Sequence, residues 1–110
     1  MISIRRFFFV VVLCLFSVVV YSDYTYSDFI RFKNLAEQGD ADAQCSLGYC
    51  YDKGQGVEQD YSQAVYWYRK SANQGNKYAQ YNLGICYENG KGVEKDYTQA
   101  VYWYRKSAEQ

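Results

Sequence analysis

Asp60-Tyr-Ser-Gln-Ala-Val-Tyr-Trp-Tyr-Arg-Lys-Ser-Ala72 returns 36 residues later, with one change, as Asp96-Tyr-Thr-Gln-Ala-Val-Tyr-Trp-Tyr-Arg-Lys-Ser-Ala108. Extended outward, the register aligns Gly39–Gln74 with Gly75–Gln110 and leaves 24 of 36 positions identical. A period of this size marks a stacked array, in which one helix pair cannot bury its own apolar face and needs a neighbour to do so. The expected fold is all-α, an α/α solenoid of helix-loop-helix repeats.

Within one copy, the first helix opens at Asp40, a good N-cap, and Ala43, Leu47, Cys50 and Tyr51 recur at i, i+4, i+7 and i+8 as one apolar stripe. Gly48 falls mid-helix, where glycine costs about 1 kcal/mol against alanine. Its return as Gly84 predicts that a partner helix crosses there and leaves no room for a β-carbon. Gly54 and Gly56, repeated as Gly90 and Gly92, suit a left-handed C-cap and a reversal of the chain. The same Gly-x-Gly spacing makes a poor phosphate cradle, since no strand precedes it and the next helix starts several residues later behind an acidic cap. That second helix starts at Asp60, with Gln63 three residues on as a capping-box variant, and buries Ala64, Val65, Tyr68 and Ala72. Arg69 and Lys70 lie near its C-terminus, where positive charge suits the dipole, and Gly75 closes it. Tyr66 and Trp67 are expected to flank the stripe and pack partly against the neighbouring repeat.

Carried back by one period, the register places Phe29 at the position of Val65, Phe32 at that of Tyr68 and Ala36 at that of Ala72. Residues 23–38 thus read as a degenerate half repeat forming an N-terminal cap, followed by repeats at 39–74 and 75–110. At Gln110 the pattern asks for a closing glycine. With no C-terminal cap, the last helix pair is expected to present unburied apolar surface, open to a partner or to a second copy as a homodimer, or to leave the array only marginally folded. Ahead of the array, residues 1–22 have the layout of a signal peptide: Arg5 and Arg6, the apolar run Phe7–Val20, then Val20-Tyr21-Ser22 at the cleavage position. The run is short of the roughly 20 residues of a spanning helix, so membrane attachment is expected only if the segment stays uncleaved. A secreted or periplasmic location follows.

Cleaved after Ser22, the chain carries ten basic and twelve acidic residues, a net charge of −2. With Lys and Arg scattered, nothing offers the basic stripe that nucleic acid demands. Cys45, Cys50 and Cys86 remain, an odd number that leaves one thiol free or pairs it between chains. Cys50 and Cys86 sit one repeat apart, where packed helix axes stand about 8–10 Å from each other. A disulfide needs Cα atoms closer than about 7 Å, so these two read as small buried apolar residues. Histidine is absent and three cysteines fall short of a closed zinc site, so neither metal nor cofactor is expected. Catalysis is not expected either: no histidine can serve as general base, Asp60 and Asp96 are used as caps, and Asp52 and Glu88 fit a solvated helix end.

Ala-Asp-Ala-Gln-x-x-Leu-Gly-x-x-Tyr (41–51), Gly-x-Gly-Val (54–57) and Asp-Tyr-x-x-Ala-x-x-Trp-Tyr-x-x-Ser-Ala (60–72) resemble the Sel-one-like repeat, a relative of the tetratricopeptide repeat. With the second copy and the half repeat, the resemblance covers Ser27 to Gln110. It implies a right-handed superhelix of antiparallel helix pairs whose first helices line a concave face, and an adaptor or scaffold role in which that face binds a protein or peptide. On that analogy the groove is lined by Asp42, Cys45, Tyr49 and Asp52, and by Tyr78, Tyr81, Ile85 and Glu88 from the second copy. All of these positions differ between the copies while the stripe is nearly unchanged. Separate recognition and scaffold roles produce that contrast, and so does drift at exposed positions. Some exported cysteine-rich members are described as β-lactam-binding or β-lactam-hydrolysing, which gives an alternative function. This chain departs from them, because Cys45, Cys50 and Cys86 lack a spacing that staples one helix pair and no serine stands in Ser-x-x-Lys.

Overall fold

A computed structural model describes residues 23–110. The signal-peptide reading falls on residues 1–22 and lies outside the described residues. Five helices follow one another: α1 Tyr26–Glu37, α2 Ala41–Lys53, α3 Tyr61–Asn73, α4 Lys77–Asn89 and α5 Tyr97–Ala108. The described residues contain no strand, and none of their helices is long and apolar enough to cross a membrane.

Each helix starts on a short polar side chain that accepts a backbone N–H three residues on: Thr25, Asp40, Asp60, Asn76 and Asp96. Thr25 and Asp28 build a full capping box. The box expected at Asp60 is only half built. Asp60 Oδ1 accepts from the Gln63 N–H at 3.1 Å, but the Asp60 N–H that Gln63 should receive already donates to Tyr51 O at 2.9 Å. Asp96 N–H is taken in the same way by Tyr87 O. The returning loop is thereby tied to the helix it has just left.

Gly54 and Gly90 end α2 and α4 in the left-handed region, at φ 67° and 68°, where an L side chain is strained. Gly56 and Gly92 have a reason that one repeat read alone does not reveal. A β-carbon on Gly56 would collide with the Thr25 carbonyl, and one on Gly92 with the Tyr61 carbonyl. The loop of each repeat is thus pressed onto the entrance of the second helix of the repeat before.

Every helix packs on its neighbours in sequence, the array that the 36-residue period implies. Paired helices run antiparallel: Ser71 near the end of α3 donates to Ala41 O at the start of α2 (2.6 Å), and Tyr68 donates to Asp52 near the end of α2 (3.1 Å). Phe29, Ala36, Ala43, Leu47, Cys50 and Trp67 close one core between α1, α2 and α3. Ala64, Val65, Tyr68, Ala72, Ala79, Leu83, Cys86 and Trp103 close the next between α3, α4 and α5. Trp67 is therefore no flanking residue but a core one, 8% exposed, whereas Tyr66 stays at the surface. The reason is that α3 is covered on two sides and must bury two stripes, one toward α2 and one toward α4. Tyr51 is only half buried, its ring edge-on to Phe29 at 5.5 Å. The residue crossing Gly48 is the Tyr68 ring, whose Cδ1 lies 2.6 Å from where a β-carbon would sit, and Tyr104 lies on Gly84 in the same way at 2.7 Å.

Two buried glutamines complete the scaffold. Gln44 Nε2 donates to Ala36 O of α1 (3.1 Å), and its Oε1 accepts from Gln74 beyond α3 (2.8 Å). One period on, Gln80 donates to Ala72 O (3.2 Å) and accepts from Gln110 (2.6 Å). Each glutamine joins three consecutive helices through bonds that a buried amide needs anyway.

Candidate functional site

Asp23 and Tyr24 precede α1, and both are tied to the first glycine loop through Gln55. Tyr24 N–H donates to Gln55 Oε1 (3.2 Å), and Gln55 Nε2 donates to Asp23 Oδ1 (3.1 Å). This tether sets Tyr24 edge-on to Phe32 of α1 (ring centroids 5.0 Å apart) and to Tyr49 of α2 (6.0 Å). Beside them opens a depression of about 300 Å³. Four of the residues expected in the groove line it: Asp42, Cys45 and Tyr49 from α2, and Tyr78 from α4. Tyr24, Ser46, Asn76 and Asn82 complete the wall. Tyr78 is 65% exposed, and Asp42 Oδ1 is held by Asn76 Nδ2 at 2.8 Å.

The other four expected residues go elsewhere. Tyr81 and Glu88 line a second depression, of about 530 Å³, with Tyr104, Ser107 and Ala108. Ile85 is half buried and lines neither hollow. Asp52 is not a freely solvated helix end: it is half buried, accepts from the Tyr68 hydroxyl, and keeps Oδ1 buried without a partner. Glu88 is engaged likewise by the Tyr104 hydroxyl. These carboxylates hold the aromatic residue of their own helix pair in place, because a buried or half-buried phenol needs an acceptor. A third hollow, of about 620 Å³, lies between α3, α4 and the loop before α5, where Arg69 donates to Tyr87 OH at 2.8 Å.

Ionisation at these sites is suppressed. Burial pushes the Cys45 thiol up to about 11, with the Asp42 charge adding to it. Cys50 and Cys86 are pushed up to about 11, again chiefly by burial. The phenols of Tyr68 and Tyr104 also rise, first through burial and then through their carboxylate partners. A thiol held in its neutral form is a poor nucleophile and a poor metal ligand. All three are free thiols, and among the described residues no three His, Cys, Asp or Glu side chains gather around a point where a metal ion could sit.

Sequence reading missed Tyr24, Ser46, Asn76 and Asn82. Ser46 and Asn82 occupy the same place one repeat apart and differ, the signal that marked their neighbours Cys45 and Tyr81. Tyr24 lies ahead of α1 and gains its position only through Gln55, a loop residue whose counterpart in the second copy is Lys91. No periodicity points to it.

Helix pairs stacked through cores that reuse the same stripe positions, with surfaces that vary between the pairs, define an α-helical repeat protein. The Sel1 repeat model matches residues 41–76 and 77–110, and the chain belongs to the Sel1 repeat family. Three solved structures share its fold over 74% of this chain. A protective antigen present in uropathogenic Escherichia coli strains and displaying an SLR fold is 41% identical, with a TM-score of 0.73 and 18% of that chain covered. A Sel1 repeat protein from Oxalobacter formigenes is 39% identical, at 0.73 and 63% of its length. Helicobacter pylori cysteine rich protein B is 27% identical, at 0.70 and 61%. The chain thus spans less than two thirds of each of these proteins. No curated protein matches it.

Proposed function

We propose that this chain is an exported, non-catalytic interaction module that holds a peptide or protein against α2 and α4, on the concave side of a right-handed superhelix. Membership of a family whose members generally mediate protein–protein contacts supports the reading. The observation that carries it is the gathering of Tyr24, Tyr49 and Tyr78 around one hollow, the latter two at positions that differ between the two copies while the stripe residues do not. Tyrosine supplies large, rigid, amphipathic contact area and concentrates binding energy at interfaces. The neutral thiols agree with a surface that binds without reacting.

A peptide-display selection on the purified chain tests this. Selected peptides should lose roughly tenfold or more in affinity when Tyr49 and Tyr78 are both changed to Ala. Peptides indifferent to both changes would place the binding face elsewhere. Turnover of a chromogenic β-lactam that one point substitution abolishes would overturn the non-catalytic part. Export is tested by fusing residues 1–22 to a reporter enzyme, with processing and passage out of the cytoplasm as the expected result. A second reading, self-association through α5, is favoured by one observation: Val101 is 51% exposed, whereas its counterpart Val65 is 5% exposed.

A further inference from the structure

We infer that the anchor taken by the hollow between α2 and α4 is a positively charged side chain of the bound peptide, arginine or lysine. The inference rests on the interaction-module reading and adds the chemistry of the partner. Three tyrosine rings, Tyr24, Tyr49 and Tyr78, stand around the space, and an aromatic face attracts a cation within about 6 Å of its centroid. Asp42 adds a carboxylate, and the Asn76 amide bonded to its Oδ1 fixes its orientation. No lysine or arginine lines the hollow, and among the described residues the one ion pair, Arg31 with Asp28, lies elsewhere. Asp42 is therefore the one charged side chain in the wall, with Lys77 just outside it against the Tyr78 ring.

An acidic anchor would meet the Asp42 carboxylate, and an apolar one would cover Asp42 without compensating it. At about 300 Å³ the space lies at the lower end for small-ligand sites, which suits one long side chain rather than a folded surface. The molecule already uses this geometry: Lys77 Nζ lies 5.2 Å from the Tyr78 ring centroid, and Lys70 Nζ lies 5.2 Å from that of Tyr66. Lys77 is outside the wall but shares the Tyr78 ring, so it competes with an incoming cation.

The test is a titration of the full-length chain, followed by NMR, with Nα-acetylarginine methylamide and with its neutral isostere, the citrulline derivative. Shifts centred on the Tyr24, Tyr49 and Tyr78 rings, with the arginine compound binding roughly fivefold or more tightly than the citrulline one, are expected. Asp42→Asn, which keeps an oxygen for Asn76 and so keeps the fold, should weaken arginine by a similar factor. Lys77→Met should strengthen it about twofold. Equal binding of the two compounds, tighter binding of acetylglutamate, or an unchanged affinity in Asp42→Asn overturns the inference. Display-selected peptides that compete at the hollow without a basic residue overturn it as well and leave the module reading standing. If no selected peptide reaches the hollow at all, both fall.

Discussion

Gly48 shows how one residue fixes a helix crossing. In an isolated helix, alanine here would add about 1 kcal/mol. In the molecule, the added carbon would meet the Tyr68 ring at Cδ1 and Cγ, near the base of a side chain that is fully buried and tied to Asp52. That ring cannot swing away, so Gly48→Ala should destabilise by about 1–3 kcal/mol in urea unfolding. Gly84→Ala meets Tyr104, which is tied to Glu88 in the same way but is half exposed and so less confined by its surroundings, and should cost less. Equal losses would show that the ring over Gly48 is no more confined than its counterpart. The thiols give a second residue-level expectation. Folded Cys50 and Cys86 hold their protons up to about pH 11, whereas the unfolded chain releases them near the ordinary value of 9.0. Above that value the unfolded state binds fewer protons, so stability is fully present below pH 9 and falls as pH rises toward 11. The slope is about 1 kcal/mol per pH unit for each buried thiol. Melting temperatures between pH 7 and 10.5 should show the fall, and Cys50→Ala with Cys86→Ala should flatten it. An identical slope in that double variant would assign the fall to the groups it leaves intact, the Cys45 thiol and the phenols of Tyr68 and Tyr104, which are raised too.

At the scale of the element, the helices were legible because apolar spacing, caps and glycine loops repeat in register. The sequence left out what passes between repeats. Gln44 and Gln80 look like surface residues in a helical pattern, yet both are buried as bridges between three helices. Nothing in composition distinguishes a bridging glutamine from a solvated one. The same holds for Trp67, whose burial requires knowing that α3 is covered on two sides, and for Asp52, whose role depends on a tyrosine on the next helix. Half of the expected groove gathers at one hollow because Asp42, Cys45 and Tyr49, at i, i+3 and i+7, share one face of α2, and Tyr78 of α4 stands beside them. The other half disperses: Asp52 and Glu88 accept from the phenols of Tyr68 and Tyr104, Tyr81 stands beside the Tyr104 ring, and Ile85 is half buried away from both hollows. Gln44→Leu measures the bridge. It adds apolar surface but removes the bond to Ala36 O and the acceptor of Gln74, so a loss of about 1 kcal/mol is expected in urea unfolding. A neutral or stabilising result would mean that the bridge contributes nothing beyond filling space.

For the whole molecule, a stack held by nearest-neighbour contacts has a stability that varies along its length. Helix α3 is covered by α2 on one side and by α4 on the other, and its Val65, Tyr68 and Ala72 are all buried. Helix α5 carries almost the same sequence, yet among the described residues only α4 covers it, and Val101 and Ala108 are exposed. Burying such side chains contributes about 1.5–3 kcal/mol for a valine, so the difference is large against the total stability of a small domain. Amide hydrogen exchange on the full chain should therefore find α3 the best protected helix and α5 markedly less so, through local opening rather than global unfolding. Protection in α5 equal to that in α3 would require something to cover the Val101 face. Repeating the exchange across a hundredfold range of concentration, beside sedimentation of the same samples, identifies it. Protection of α5 that rises with concentration and disappears in Val101→Lys assigns the cover to a second copy, whereas protection independent of concentration excludes one. Because Val101 is already half in solvent, its replacement leaves the core between α3, α4 and α5 intact, so a lost dimer can be told apart from a lost fold.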